Sequence, residues 1–107
     1  MGEQSDTRRE VLEGYVVDQA CLRKYPQDEL LERARVHTTE CALMGHCMES
    51  GYGLVDEEGR PLLLEPAATA RVVERLRSTG VEKGARLRAT RVMRDGEMTT
   101  VDVTEPE

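Results

Sequence analysis

The chain has 107 residues, a length that suits one domain and is too short for two. Hydrophobic residues make up 38% and charged residues 34%, and because Trp and Phe are absent, the core must consist mainly of Leu, Val, Ala and Met. The net charge of −6 argues against a general binder of nucleic acids or anionic membranes. The sequence contains neither an apolar run long enough to cross a membrane nor a signal-peptide pattern. We therefore expect a cytoplasmic protein, or a periplasmic or secreted one if an export signal has been removed.

The first half of the chain predicts one strand followed by helical segments. Residues 1–9 are charged and show no periodicity, so we predict a disordered tail there and a single domain over 10–104. The run from Val11 to Asp18 predicts a strand, in which Gly14 suggests a bulge or sharp bend. A connector over 21–26 leads into a helical pattern over 27–44, which the Thr38-Thr39 pair is expected to break into two short helices.

The second half predicts two hairpins with a helix between them. Two short apolar runs flank the acidic turn 56–59, and a helix is expected to begin at Pro66 and to end before Gly80. The dipeptide Asp95-Gly96 lies between two alternating runs and is a strong hairpin signal.

This order of elements predicts a fold class. Five strands, a helical insertion after strand 1 and a helix between strands 3 and 4 indicate an α+β, mainly β domain shaped as a small OB-like barrel. An α+β sandwich with two helices on one face of the sheet also fits the order.

The residues that carry chemistry are concentrated in one segment. All three cysteines and both histidines lie between residues 21 and 47, with Met44 and Met48 among them. His37 and Cys41 are four residues apart and would share one face of a helix. Cys47 is six residues beyond Cys41, or about 9 Å along a straight helix, and can approach this face only if the chain breaks near Gly45.

Three cysteines and a histidine suit a tetrahedral metal ion. We predict a site formed by Cys21, His37, Cys41 and Cys47 that holds Zn²⁺, with Cu⁺ as the alternative. Asp18, His46 and Met44 are candidates for further ligands or for groups that orient a ligand, and Asp18 suits the orientation of an imidazole N–H. A site with four protein ligands is closed, so we expect a structural role or one in metal storage, transfer or sensing, and not an enzyme.

Other interpretations of the cysteines stay open. They can be buried core residues, or they can form a Cys41–Cys47 or Cys21–Cys47 disulfide in an exported domain. A thiol redox protein is a further class. A catalytic pair of His37 with Cys41 has no orienting third member or oxyanion-hole signature in the sequence.

A second function belongs to a different class. An OB-like domain can serve as a module that binds an anionic ligand or a partner through a basic patch at Arg86 and Arg88. The scarcity of aromatic residues argues against single-stranded nucleic acid as that ligand.

Three segments resemble a family of small, largely uncharacterised bacterial proteins: EGYVVDQAC (13–21), HTTECALMGHC (37–47) and ESGYGLVDEEGR (49–60). The family pattern is VVDxxC, then HxxxCAxxxxC, then SGYG, and the likeness extends loosely over residues 11–103. The resemblance implies a shared site but no particular activity, and because its members often look exported, it leaves open the choice between a disulfide and a metal. The shared positions are Asp18, Cys21, His37, Cys41, Cys47, Gly51 and Gly53.

Overall fold

The computed structural model describes residues 9–106, which form an α+β domain. Short 3₁₀ turns at Gln27–Glu29 and Pro66–Ala68 directly precede the α-helices that begin at Leu30 and Thr69. The predicted tail lies outside the described residues except for Arg9, which begins the first strand. In chain order the elements are β1 (Arg9–Asp18), α1 (Gln19–Lys24), α2 (Leu30–Val36), α3 (Thr39–Ala42), α4 (Gly45–Ser50), β2 (Tyr52–Val55), β3 (Pro61–Leu63), α5 (Thr69–Ser78), β4 (Arg86–Arg94) and β5 (Glu97–Thr104).

The five strands form one antiparallel sheet in the order β3-β2-β1-β4-β5. The long strand β1 is central because its first part pairs with β4 and its last part with β2. Five strands, a helical insertion after β1 and a helix between β3 and β4 were all predicted, and the structure has them. The predicted barrel is not closed, because within residues 9–106 β3 and β5 are the two edges of the sheet. β3 is three residues long and begins with Pro61, which has no N–H to donate to a further strand. Helices occupy about as much of the chain as strands do, so the expectation of a mainly β domain is not confirmed.

Helices pack on both faces of the sheet, so the predicted arrangement with helices on one face is also wrong. Because side chains alternate along a strand, Val16 and Val17 of β1 belong to two different core clusters. The first cluster includes Val72 and Leu76 of α5, and the second includes Leu30 and Ala34 of α2. Burial on both faces explains why every residue of β2 is buried.

The insertion between β1 and β2 contains four short helices. The predicted break at Thr38-Thr39 is confirmed, because α2 ends at Val36 and α3 begins at Thr39. The segment predicted as a connector is instead α1, which ends before Pro26. A second break after Ala42 separates α3 from α4, which begins at Gly45.

Both predicted hairpins are present. β2 and β3 pair across the acidic turn, and β4 pairs with β5 across Asp95-Gly96. The φ angles of Asp95 and Gly96 are 51° and 83°, the left-handed values that a two-residue hairpin turn requires.

Gly14 is required for close contact between β1 and β2. It pairs regularly with Leu87 and does not form the predicted bulge. A Cβ atom at this position would lie 2.5 Å from the carbonyl oxygen of Val55. We expect Gly14→Ala to lower the free energy of unfolding by about 1–3 kcal/mol, because backbone atoms of β2 must shift. Urea denaturation measures this loss.

Gly80→Ala is the matched control for that substitution. A Cβ atom at Gly80 would meet no atom within 4 Å, so its effect on the free energy of unfolding should stay within about 0.5 kcal/mol. Equal effects at the two positions would contradict a steric role for Gly14.

Candidate metal centre

Three side chains from three different local elements converge within the helical insertion. The Sγ atoms of Cys21 and Cys41 and a ring nitrogen of His37 all lie within 4.8 Å of one another. Cys21 belongs to α1 and Cys41 to α3, and His37 is the residue that directly follows α2. These three residues, Cys21, His37 and Cys41, form a donor group whose ligand atoms are close enough to contact a single ion.

The two cysteines occupy equivalent positions in their helices. Asp18 caps the N-terminus of α1, and its Oδ2 accepts a hydrogen bond of 3.0 Å from the backbone N–H of Cys21. Thr38 caps α3 in the same way, and its Oγ1 accepts a bond of 3.0 Å from the N–H of Cys41. In both helices the cysteine is the third residue after the cap, where such a bond fixes the backbone of the first turn. The spacings D-x-x-C and T-x-x-C were visible in the sequence as a signal for these caps.

His37 is held from outside the insertion. Its backbone is extended, which ends α2, and its carbonyl oxygen accepts a hydrogen bond of 3.0 Å from the N–H of Gly84. Gly84 has a φ of 64°, and a Cβ atom there would lie 2.5 Å from the carbonyl oxygen of Arg35. Gly84 is thus a supporting residue that sequence reasoning missed, since no local pattern links it to His37.

His37 and Cys41 come together by a different route from the one expected. They were predicted to share one helical face, but the chain leaves the helical conformation at His37 and re-enters it at Thr39. The extended pair His37-Thr38 turns the chain, and a bridge between Thr38 and Lys83 holds this turn against the loop before β4.

A buried carboxylate adjoins the three donors. Asp18 is fully buried, and its Oδ1 lies 3.0 Å from Nε2 of His37. Burial tends to raise the pKa of Asp18, but hydrogen bonds from His37 and from the Cys21 N–H outweigh it and lower that pKa to about 2. Because an ionised carboxylate accepts hydrogen bonds and cannot donate them, Nε2 carries the proton in this contact. The lone pair of the neutral ring is then on Nδ1, where it can bind a metal.

Burial and the charge of Asp18 favour the protonated form of two thiols, those of Cys21 and Cys47. Burial raises the pKa of Cys21, and the negative charge of Asp18 raises it further. Burial and then the charge of Asp18 raise the pKa of Cys47 to about 12. A bound cation reverses this preference, since a metal binds the thiolate and releases its proton.

Cys47 lies beside the three-donor group and not within it. It is buried in α4, where the charge of Asp18 influences it and its Sγ lies 3.6 Å from Nε2 of His46. The predicted break before Gly45 exists, but α4 then runs in a direction that the sequence did not specify. His46 and Met44, the other candidate ligands, are exposed.

All three cysteines are free thiols, so neither the Cys41–Cys47 nor the Cys21–Cys47 disulfide is present. Cys21 and Cys41 are partly exposed, and Cys47 is buried. Cys47 fits the interpretation as a buried core residue, whereas Cys41 is only partly buried and Cys21, also partly buried, packs against the second core cluster.

The arginines of the second predicted site already have acidic neighbours. Arg88 lies opposite Glu13 on the neighbouring strand and approaches its carboxylate to 2.9 Å. Arg86 lies 3.9 Å from Glu13 and 3.9 Å from Glu57, and its guanidinium is 5.5 Å from the ring centroid of Tyr15. These contacts offset the positive charge that a patch for anions would need.

No protein-family model, curated protein or solved structure matches this chain. Within residues 9–106, no helix has the length and apolar character needed to span a membrane.

Proposed function

We propose that this protein binds one soft metal ion through Cys21, His37 and Cys41, with Zn²⁺ as the preferred ion and Cu⁺ as the alternative. The observation that supports the proposal is the clustering of two sulfurs and one imidazole nitrogen within 4.8 Å. Thiolate and imidazole are the donors that both ions favour. A tetrahedral Zn²⁺ ion with Zn–S bonds of about 2.3 Å holds its sulfurs roughly 3.8 Å apart, so a small inward movement of the side chains is sufficient.

Asp18 supports the same proposal from outside the donor group. Its contact with Nε2 of His37 resembles the carboxylate partners that orient metal-binding histidines in other proteins. Asp18 and the three donors Cys21, His37 and Cys41 coincide with positions of the bacterial family pattern. Membership of that family stays a prediction.

Three protein donors favour an exchangeable site over a purely structural one. Structural Zn²⁺ sites use four protein ligands, whereas a site with three leaves one position for water or another ligand. We assign Cys47 no place in the coordination, because it lies outside the donor group. An exchangeable site suits metal storage, transfer or sensing, and this is the role that we propose.

Metal analysis of the full chain tests the proposal. Reduced, metal-free protein is reconstituted with Zn²⁺ or Cu⁺, passed over a desalting column and analysed by mass spectrometry of the elements. We expect about one equivalent of metal per chain, and with Co²⁺ a thiolate charge-transfer absorption from two sulfur ligands. Less than about one-tenth of an equivalent with each of the three ions would overturn the proposal.

A further inference from the structure

We propose that Cys21 and Cys41 are also a redox pair, which forms an intramolecular disulfide when no metal is bound. The mutual exclusion of disulfide and metal rests on the proposed function, because the same two sulfurs are assigned as metal ligands. Their Sγ atoms already lie within 4.8 Å of each other. Both residues are partly exposed, so a small disulfide in solution can reach them.

The backbone contacts of the two cysteines allow the sulfurs to meet. A disulfide requires a sulfur–sulfur distance of about 2.05 Å, so the two atoms must approach by roughly 3 Å at most. The caps formed by Asp18 and Thr38 hold the backbone N–H groups and leave rotation about the Cα–Cβ bonds free. The pair lies on two separate helices, α1 and α3, so that a disulfide would link elements twenty residues apart in the chain.

Cys47 is expected to remain a thiol. Its relative exposure is 2%, so an attacking reagent has little access to its sulfur. Cys47 also lies outside the group in which the ligand atoms of Cys21, His37 and Cys41 are within 4.8 Å of one another. The structure thus selects one pair among the three that the cysteines can form, and this pair differs from both disulfides considered from the sequence.

The oxidation is balanced with glutathione disulfide as the oxidant. The thiolate of one cysteine attacks a glutathione sulfur, breaks the glutathione S–S bond and releases one glutathione thiolate. The second cysteine then attacks the protein sulfur of the mixed disulfide and releases the second glutathione. The protein loses two electrons and two protons, and the oxidant becomes two glutathione thiols. Because each sulfur then has a covalent partner, the disulfide and the bound metal exclude each other.

Thiol mapping of the full chain tests this pair. Reduced, metal-free protein is incubated with glutathione disulfide, and free thiols are alkylated and counted. We expect the count to fall from three to one. Cleavage after Arg35 with trypsin and after Met44 with cyanogen bromide places Cys41 and Cys47 on different fragments. The fragment with Cys21 should be linked to the fragment with Cys41, and Cys47 should carry the alkyl group.

Two variants and a metal-loaded sample complete the test. Cys47→Ser should form the disulfide as wild type does, and Cys41→Ser should not form one. Bound Zn²⁺ should slow the oxidation at least about tenfold, since the attacking thiolates are then metal ligands. Three remaining thiols, a bond to Cys47 or a stable mixed disulfide would each overturn the proposal, and equal rates with and without bound Zn²⁺ would contradict mutual exclusion.

The outcomes separate this inference from the proposed function. If the protein binds metal but the two thiols do not pair, the redox inference fails alone. If the disulfide forms but neither Zn²⁺, Cu⁺ nor Co²⁺ binds, the proposed function fails and the redox pair stands.

Discussion

Replacement of Cys41 by serine is expected to weaken metal binding by about 100-fold, and Cys21→Ser should weaken it equally. Structural Zn²⁺ sites with four ligands bind with about 10–16 kcal/mol, which corresponds to roughly 3 kcal/mol for each ligand. A serine hydroxyl does not ionise near neutral pH and so cannot replace a thiolate. Competition against a chromophoric chelator at fixed pH measures the change in affinity.

Cys47→Ser is the matched control for this prediction. Because Cys47 lies outside the donor group, its replacement should leave the affinity for metal within about threefold of wild type. A loss as large as that of Cys41→Ser would show that Cys47 is a fourth ligand, as the sequence spacing suggested. Unfolding of each metal-free variant separates a lost ligand from a damaged fold.

The parts of the fold that depend on local signals were predictable. Asp95-Gly96 supplies two left-handed residues in a row, which few structures other than a tight hairpin accommodate. Thr38-Thr39 broke the helix because its β-branched residues are poor helix formers and Thr38 is a good N-cap. In both places, neighbouring residues in the chain determine the conformation.

The parts that depend on distant contacts were not predictable. Helix α1 is six residues long and buries no side chain completely, so it shows no amphipathic period. Closure of a barrel depends on pairing between β3 and β5, and no residue pattern within either strand encodes that pairing. Helices α2 and α5 pack on opposite faces of the sheet. The face that each helix covers depends likewise on contacts with the assembled sheet and not on a local sequence pattern.

The donor group was predictable in composition and only partly in geometry. The clustering of cysteines and histidines in one segment indicated the chemistry, and Cys21, His37 and Cys41 come together in the structure. The position of Cys47 depends on the direction of α4 after the break at Leu43-Met44. That direction is set by the packing of α4 against β1 and α1. The spacing of six residues between Cys41 and Cys47 carries no information about this packing.

Asp18→Ala is expected to lower the free energy of unfolding of the metal-free protein by about 3 kcal/mol. The substitution removes the cap of α1 and leaves the Nε2–H of buried His37 without its partner. Glu13→Gln is the matched control on the same strand. Glu13 pairs with Arg88 at the surface, and its replacement should cost less than about 1 kcal/mol.

The pH dependence of unfolding identifies the source of the Asp18 effect. The pKa of Asp18 is about 2 in the folded protein and 3.8 in the unfolded chain, so its ionised form stabilises the fold above pH 3.8. This contribution of about 2 kcal/mol is lost as the pH falls through 3.8 towards 2. Between about pH 5 and pH 3, wild type should therefore lose roughly 1 kcal/mol more stability than Asp18→Ala. Parallel losses in the two proteins, measured by urea denaturation at each pH, would show that the buried carboxylate stabilises the fold through its shape and not through its charge.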